Sequence, residues 1–196
     1  TIASVAKVLR SRAPAMLVLT GAALRERGLA AAHCISQATG AMLRTPTQVP
    51  RMARGRGRPA VDRIPYSVDA AVQSLAGIAH VVLVGAAPPM AFFAYPGKPG
   101  LVAPTDAAYH VLSRPEEDGV EALERLAEEL GAPAAAIADS GARPQQGRGP
   151  FTHEGFGSTF AALIPENSVV VEEAVTSGRQ LFPPTFNAAP HDWLQI

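Results

Sequence analysis

The chain has 196 residues, and its 17 Lys and Arg are balanced by 17 Asp and Glu, so the formal net charge is zero. At roughly 100–200 residues per domain this length holds one domain, or one and part of another; 47% hydrophobic against 17% charged residues excludes a disordered chain. The balanced charge argues against a general nucleic-acid binder, which carries a basic excess, and the single cysteine, Cys34, excludes an internal disulfide and a cysteine-based zinc site.

In chain order, Ile2, Val5, Ala6, Val8 and Leu9 recur at helical spacing until Arg10, Arg12 and Pro14 close the segment. Residues 15–20 are a short unbroken apolar run between Pro14 and Gly21, the pattern of a strand buried on both faces in a parallel sheet. A helix over 24–39 ends at Gly40, and a strand over 41–45 completes a βαβ unit. Periodicity is lost from Pro46 to Pro65, where 51–59 are rich in Arg and Gly. A short helix over 69–75 and a strand over 80–85 come next, then a long loop with aromatic and proline residues to Pro104. A strand over 109–113 leads to an amphipathic helix over 119–130, stopped by Gly131.

Composition shifts at Ala132, and 132–150, rich in Ala, Pro, Gly and Gln, reads as a linker. Beyond it come a helix over 152–163, a strand over 168–171 and a short helix start over 177–182. The expected organisation is a Rossmann-like α/β domain over 1–131, the linker, and an incomplete α/β domain over 151–196. Its one clear strand is too little for a sheet of its own. No apolar stretch reaches the ~18 residues that span a bilayer, and no secretory signal is present, so a cytoplasmic protein without a membrane partner is expected. The chain opens on Thr1 rather than Met and stops on an apolar run at Ile196, which predicts a piece of a longer polypeptide.

Four places could carry chemistry. The turn at Gly21 offers backbone N–H groups to an anion, or is glycine for geometry alone; Ala23 stands where a dinucleotide fingerprint has its second glycine. Arg51, Arg54, Arg56, Arg58 and Arg63 could clamp phosphates or carboxylates, or form a solvated or interdomain loop. Phe92, Phe93 and Tyr95 follow a central strand at its ligand-binding end; they could line a pocket or pack the loop onto the domain or a neighbouring subunit. Glu172 and Glu173 end a strand and could act as acid and base or hold a metal. Thr176, Ser177 and Gly178 could present hydroxyls and a backbone N–H to a phosphate; the alternative is an ordinary strand end whose turn is capped by Thr or Ser. His33, His80, His110, His153 and His191 lack metal-ligand spacing, His80 and His110 reading as structural, and Cys34 as a small buried hydrophobe.

Several strings in order along nearly the whole chain resemble the thiamine-diphosphate-dependent enzymes of the acetolactate synthase large-subunit type, close to benzoylformate decarboxylase. They are Gly21-Ala-Ala-Leu-Arg25, Arg54-Gly-Arg-Gly-Arg-Pro59, His80-Val-Val-Leu-Val-Gly85, Ala91-Phe-Phe-Ala-Tyr-Pro-Gly-Lys-Pro99, Val171-Glu-Glu-Ala-Val-Thr-Ser-Gly-Arg179 and Pro190-His-Asp-Trp-Leu194. The resemblance implies that 1–131 is the central domain of such an enzyme and 151–196 the start of its pyrophosphate-binding domain. It implies thiamine diphosphate and Mg²⁺ as cofactors, a 2-oxo acid substrate, and a homodimeric or homotetrameric enzyme. The family's activating glutamate and its Mg²⁺-diphosphate motif have no counterpart here, so no catalytic residue and no metal ligand is expected in this chain, and no activity from it alone. Thr176, Ser177 and Gly178 match the segment that approaches the diphosphate. Phe92, Phe93 and Tyr95 match a loop of the substrate pocket, where Phe93 stands in place of one relative's catalytic histidine. Gly21-Ala22-Ala23 departs from the triple glycine of FAD-binding relatives, so FAD is expected to be absent. The alternative reading is a free-standing FAD- or NAD-binding Rossmann-like module.

Overall fold

The computed structural model describes residues 1–137, 141–174, 176, 178 and 181–195. The chain divides into two compact units, Thr1–Gln48 with Val61–Ala135, and Val49–Ala60 with Ala136–Ile196.

In the first unit, helix α1 (Ile2–Arg10) precedes strand β1 (Ala15–Leu19). Every residue of β1 is buried, as a run without polar alternation requires when helices cover both faces of a sheet. A 3₁₀ turn over Gly21–Leu24 leads into α2 (Glu26–Thr39), followed by β2 (Met42–Thr45). Later in the chain come β4 (Asp62–Arg63), α3 (Val68–Ser74), β5 (His80–Val84), β6 (Ala108–Ser113) and α4 (Gly119–Leu130), with β3 (Arg51–Arg54) belonging to the second unit. These strands form a parallel sheet of order β4-β2-β1-β5-β6, the α/β fold expected from the sequence.

Met16, Val18, Val81 and Leu83 meet Val68 and Ala71 of α3 and Leu75 at its end on one face. Helices α1 and α2 both pack on α4, whose Leu123 and Leu126 are fully buried, each contributing ~2 kcal/mol. The ends of α4 are fixed locally. Asp118 accepts the N–H groups of Val120 and Glu121 at 2.9 and 3.0 Å, and Gly131 takes the left-handed conformation at φ 64°.

The second unit has its own sheet, which the sequence reading did not expect. Strand β3 (Arg51–Arg54) lies antiparallel to β8 (His191–Gln195), and β8 lies parallel to β7 (Ser168–Glu172), giving the order β3-β8-β7. The third strand comes from the arginine-rich stretch, which the sequence reading places in the first domain as an aperiodic loop. Pairing with β8 gives that stretch a backbone partner that its own sequence does not reveal. Helix α5 (His153–Leu163) is capped by Thr152, whose hydroxyl accepts the Gly155 N–H at 2.9 Å. The short helix start expected over 177–182 lies partly outside the described residues; a 3₁₀ turn follows at Pro183–Asn187. Trp193 is fully buried among Phe160 and Phe182, both edge-on to its ring.

Candidate functional site

In the first unit the strand order reverses between β1 and β5, which places a crevice at their carboxyl ends. The two ends are tied together there: the Thr20 hydroxyl donates to the Gly85 carbonyl at 2.6 Å. Gly21 sits at φ 56° and starts a 3₁₀ turn, not the helix itself. Gly28, in the first turns of α2, lies where a Cβ would stand 2.5 Å from the Ala23 Cα. Both glycines therefore serve backbone geometry and close packing of the turn against α2, the second of the readings offered for this turn.

Beside this crevice lies an apolar pocket of about 320 Å³, lined by Val18, Ile64, Pro89, Met90 and Phe92 with Thr47 and Gln48 at its polar side. Phe92 lines it; Phe93 and Tyr95 do not. The three rings instead form a partly exposed chain, with Phe92 edge-on to Phe93 at 4.7 Å and Phe93 edge-on to Tyr95 at 6.2 Å. Tyr66 joins this chain, its ring 5.7 Å from Phe92, and the hydrogen bond between the Tyr95 and Tyr66 side chains, which favours the neutral Tyr95 phenol, holds its pKa above the ordinary range. Tyr66 follows an aperiodic stretch and meets the loop only through tertiary packing, so local pattern does not reveal it. Lys98, in the same loop, pairs with Asp69 at the start of α3.

On the same sheet, His80 and His110 face one another on adjacent strands, Nδ1 to Nε2 at 3.2 Å. Burial, and next the neighbouring His80, pushes the His110 imidazole below its ordinary range. Cys34 sits on α2 only partly buried, which corrects its reading as a core hydrophobe.

In the second unit the candidate site is the end of β7. Glu172 is buried, and its Oε2 accepts the Trp193 indole N–H at 3.1 Å. Glu173 is exposed. The two carboxylates do not face one another, so they make no acid–base pair. Thr176 is exposed and Gly178 buried, with the Gly178 N–H donating to the Ala174 carbonyl at 3.1 Å. A Cβ at Gly178 would stand 2.6 Å from Glu172 Oε1, so the glycine lets the turn close over that buried carboxylate. Ser177 lies outside the described residues. Among the described residues no group of three His, Cys, Asp or Glu could hold a metal ion.

Two of the arginines are engaged within the second unit. Arg54 is buried, its guanidinium stacked on Phe182 at 3.4 Å and on Phe186 at 4.1 Å, with Nε donating to the Thr185 hydroxyl at 2.9 Å and Nη2 to the Phe182 carbonyl. Arg51 pairs with Asp192, and the Arg56 N–H donates to the Ala188 carbonyl at 2.9 Å. His191 is buried, its Nδ1 2.7 Å from the Ala189 carbonyl, and burial lowers its pKa despite that bond. A groove of about 420 Å³ between α5 and β7 is apolar apart from Ser168.

No family model matches the sequence. A Mycobacterium tuberculosis protein named as an acetolactate synthase large subunit, IlvX, is 40% identical over 195 residues. The chain is a homologue of IlvX. All of it aligns, and it spans 38% of that relative's length. Among solved structures, a Mycobacterium smegmatis protein named as a thiamin diphosphate-dependent enzyme superposes with a TM-score of 0.62 at 19% identity, covering 98% of this chain and 41% of the other. The thiamine diphosphate-dependent 4-hydroxybenzoylformate decarboxylase of Rhodococcus jostii RHA1 superposes with a TM-score of 0.66 at 16% identity, covering 99% of this chain and 40% of that one. The fold is therefore one found in thiamine diphosphate-dependent enzymes. No helix among the described residues is long and apolar enough to cross a membrane.

Proposed function

We propose that these residues are the central domain and the opening of the pyrophosphate-binding domain of a thiamine diphosphate-dependent 2-oxo acid carboligase or decarboxylase, nominally an acetolactate synthase. The alignment with IlvX from end to end of the chain carries this reading, supported by the fold of both units. The bound cofactor would supply the electron sink for loss of CO₂ from the 2-oxo acid. This chain's share is binding and shaping. The residues after β7 fit part of a diphosphate site in that Thr176 offers an exposed hydroxyl. No Mg²⁺ ligand is assigned to this chain in this reading. Phe92, Phe93 and Tyr95 supply apolar surface toward the substrate, and no residue here is assigned a proton transfer. FAD has no part in this reading, and the whole enzyme works as a homodimer or homotetramer.

A site shared in this way is not formed by the chain alone. Calorimetric titration with thiamine diphosphate and Mg²⁺ is expected to show no binding at micromolar concentrations, and pyruvate is not turned over; micromolar binding would overturn the shared site. In the whole enzyme, Thr176→Val is expected to raise the thiamine diphosphate concentration for half-maximal activity about tenfold, the loss of one hydrogen bond to a charged group. An unchanged value would remove Thr176 from the site.

A further inference from the structure

The chain passes between its two units three times, at 48/49, 60/61 and 135/136. Only the last crossing is the linker foreseen from composition. The other two bracket residues 49–60, which lie entirely within the second unit. We propose that this segment is a strap: an intramolecular strand, recognised by the second unit, that keeps residues 141–195 attached to the rest of the protein even when the linker is cut.

The contacts are those of strand addition to a sheet edge, where main-chain pairing supplies affinity and side-chain sites supply specificity. Arg51, Met52, Ala53 and Arg54 pair in register with Leu194, Trp193, Asp192 and His191. Met52 and Ala53 are buried, and Arg54 fills an aromatic cage closed by Phe182 and Phe186 with two buried acceptors at its end. Gly55 follows at φ 100°, where a Cβ would stand 2.5 Å from the Ala189 carbonyl oxygen, so this position accepts glycine alone. The Arg51–Asp192 ion pair and the Arg56 N–H bond to Ala188 fix the two ends of the strap. Residues 145–150 of the linker, by contrast, are exposed.

The inference does not rest on the cofactor reading, and its test is blind to any ligand. A specific protease site inserted between Gln145 and Gln146 of the full chain allows the linker to be cut after folding. The two pieces are expected to co-elute in native gel filtration and to separate only in denaturant. Arg54→Ala is expected to weaken their association at least tenfold, so that they elute apart. Arg44→Ala, which breaks an exposed ion pair with Asp62 in the first unit, is expected to leave co-elution intact. Should Arg54→Ala fail to fold, Gly55→Ala tests the same strap and is expected to release the smaller piece. Separation of the cut wild-type pieces would overturn the proposal, as would variants of the strap that hold together as tightly as the wild type.

Discussion

A buried guanidinium is stable where its N–H groups find acceptors and its plane finds packing partners. Arg54 finds both within one unit: it donates to the Thr185 hydroxyl and the Phe182 carbonyl, and it lies over the Phe182 and Phe186 rings. Arg54→Ala removes the charge-assisted hydrogen bonds and the stacked packing together, and is expected to cost about 2–4 kcal/mol. Urea unfolding followed by the emission of Trp193, the chain's single tryptophan, measures it. Arg54→Lys does not restore the loss, because an ammonium cannot reproduce the planar fork. Gly178 makes a second residue-scale case. Its added methyl would meet Glu172 Oε1 at 2.6 Å, and the carboxylate in turn accepts the Trp193 indole N–H. Gly178→Ala is therefore expected to destabilise by about 1–3 kcal/mol and to shift Trp193 emission, since the carboxylate must move from the indole. In a Glu172→Ala background the same substitution is expected to cost less, a coupling that a double-mutant cycle reads directly.

At the scale of elements, β5 and β6 bring His80 and His110 into contact. A histidine whose folded pKa lies below its unfolded value prefers the unfolded chain when protonated. The stability of the first unit is thus complete above the unfolded pKa of ~6.5 and falls as the pH drops through the lowered pKa of His110. His110→Gln is expected to flatten the pH dependence of the far-UV transition over that window; an unchanged slope would show that the pair does not control it. Elements were legible in the sequence where one kind of burial runs through them. β1 and β5 are uninterrupted apolar runs, and α4 has a clean helical stripe between a capping Asp and a stopping Gly. β3 and β8 were not legible, because Arg51-Met-Ala-Arg54 and His191-Asp-Trp-Leu-Gln195 show neither an apolar run nor strict alternation. Their polar residues are buried by partners from distant parts of the chain: Arg54 by an aromatic cage, His191 behind the Ala189 carbonyl. The candidate site divides in the same way. Phe92, Phe93 and Tyr95 are candidates from their place after a central strand, and Thr176, Ser177 and Gly178 from theirs after β7. Tyr66 and the Glu172–Trp193 bond depend on tertiary contact, which local pattern cannot carry.

At the scale of the whole molecule, two units of unequal size share one chain. The first has a five-stranded sheet and four helices; the second has three strands and one helix among the described residues. Trp193 reports the second unit, whereas far-UV ellipticity comes mainly from α1 to α4 in the first. In the second unit β7 lies at the edge of the sheet among the described residues, with Val169 and Val171 exposed. Less apolar area per ordered residue means less free energy to offset chain entropy, so the smaller unit opens first. In urea, the fluorescence midpoint is expected to fall below the ellipticity midpoint, a departure from two-state behaviour that the two probes reveal together. Arg54→Ala acts only on the second unit. It is expected to lower the fluorescence midpoint further and leave the ellipticity midpoint close to its wild-type value. Coincident transitions that move together in the variant would mean that the strap binds the two units into one cooperative body, so that loss of either core unfolds both.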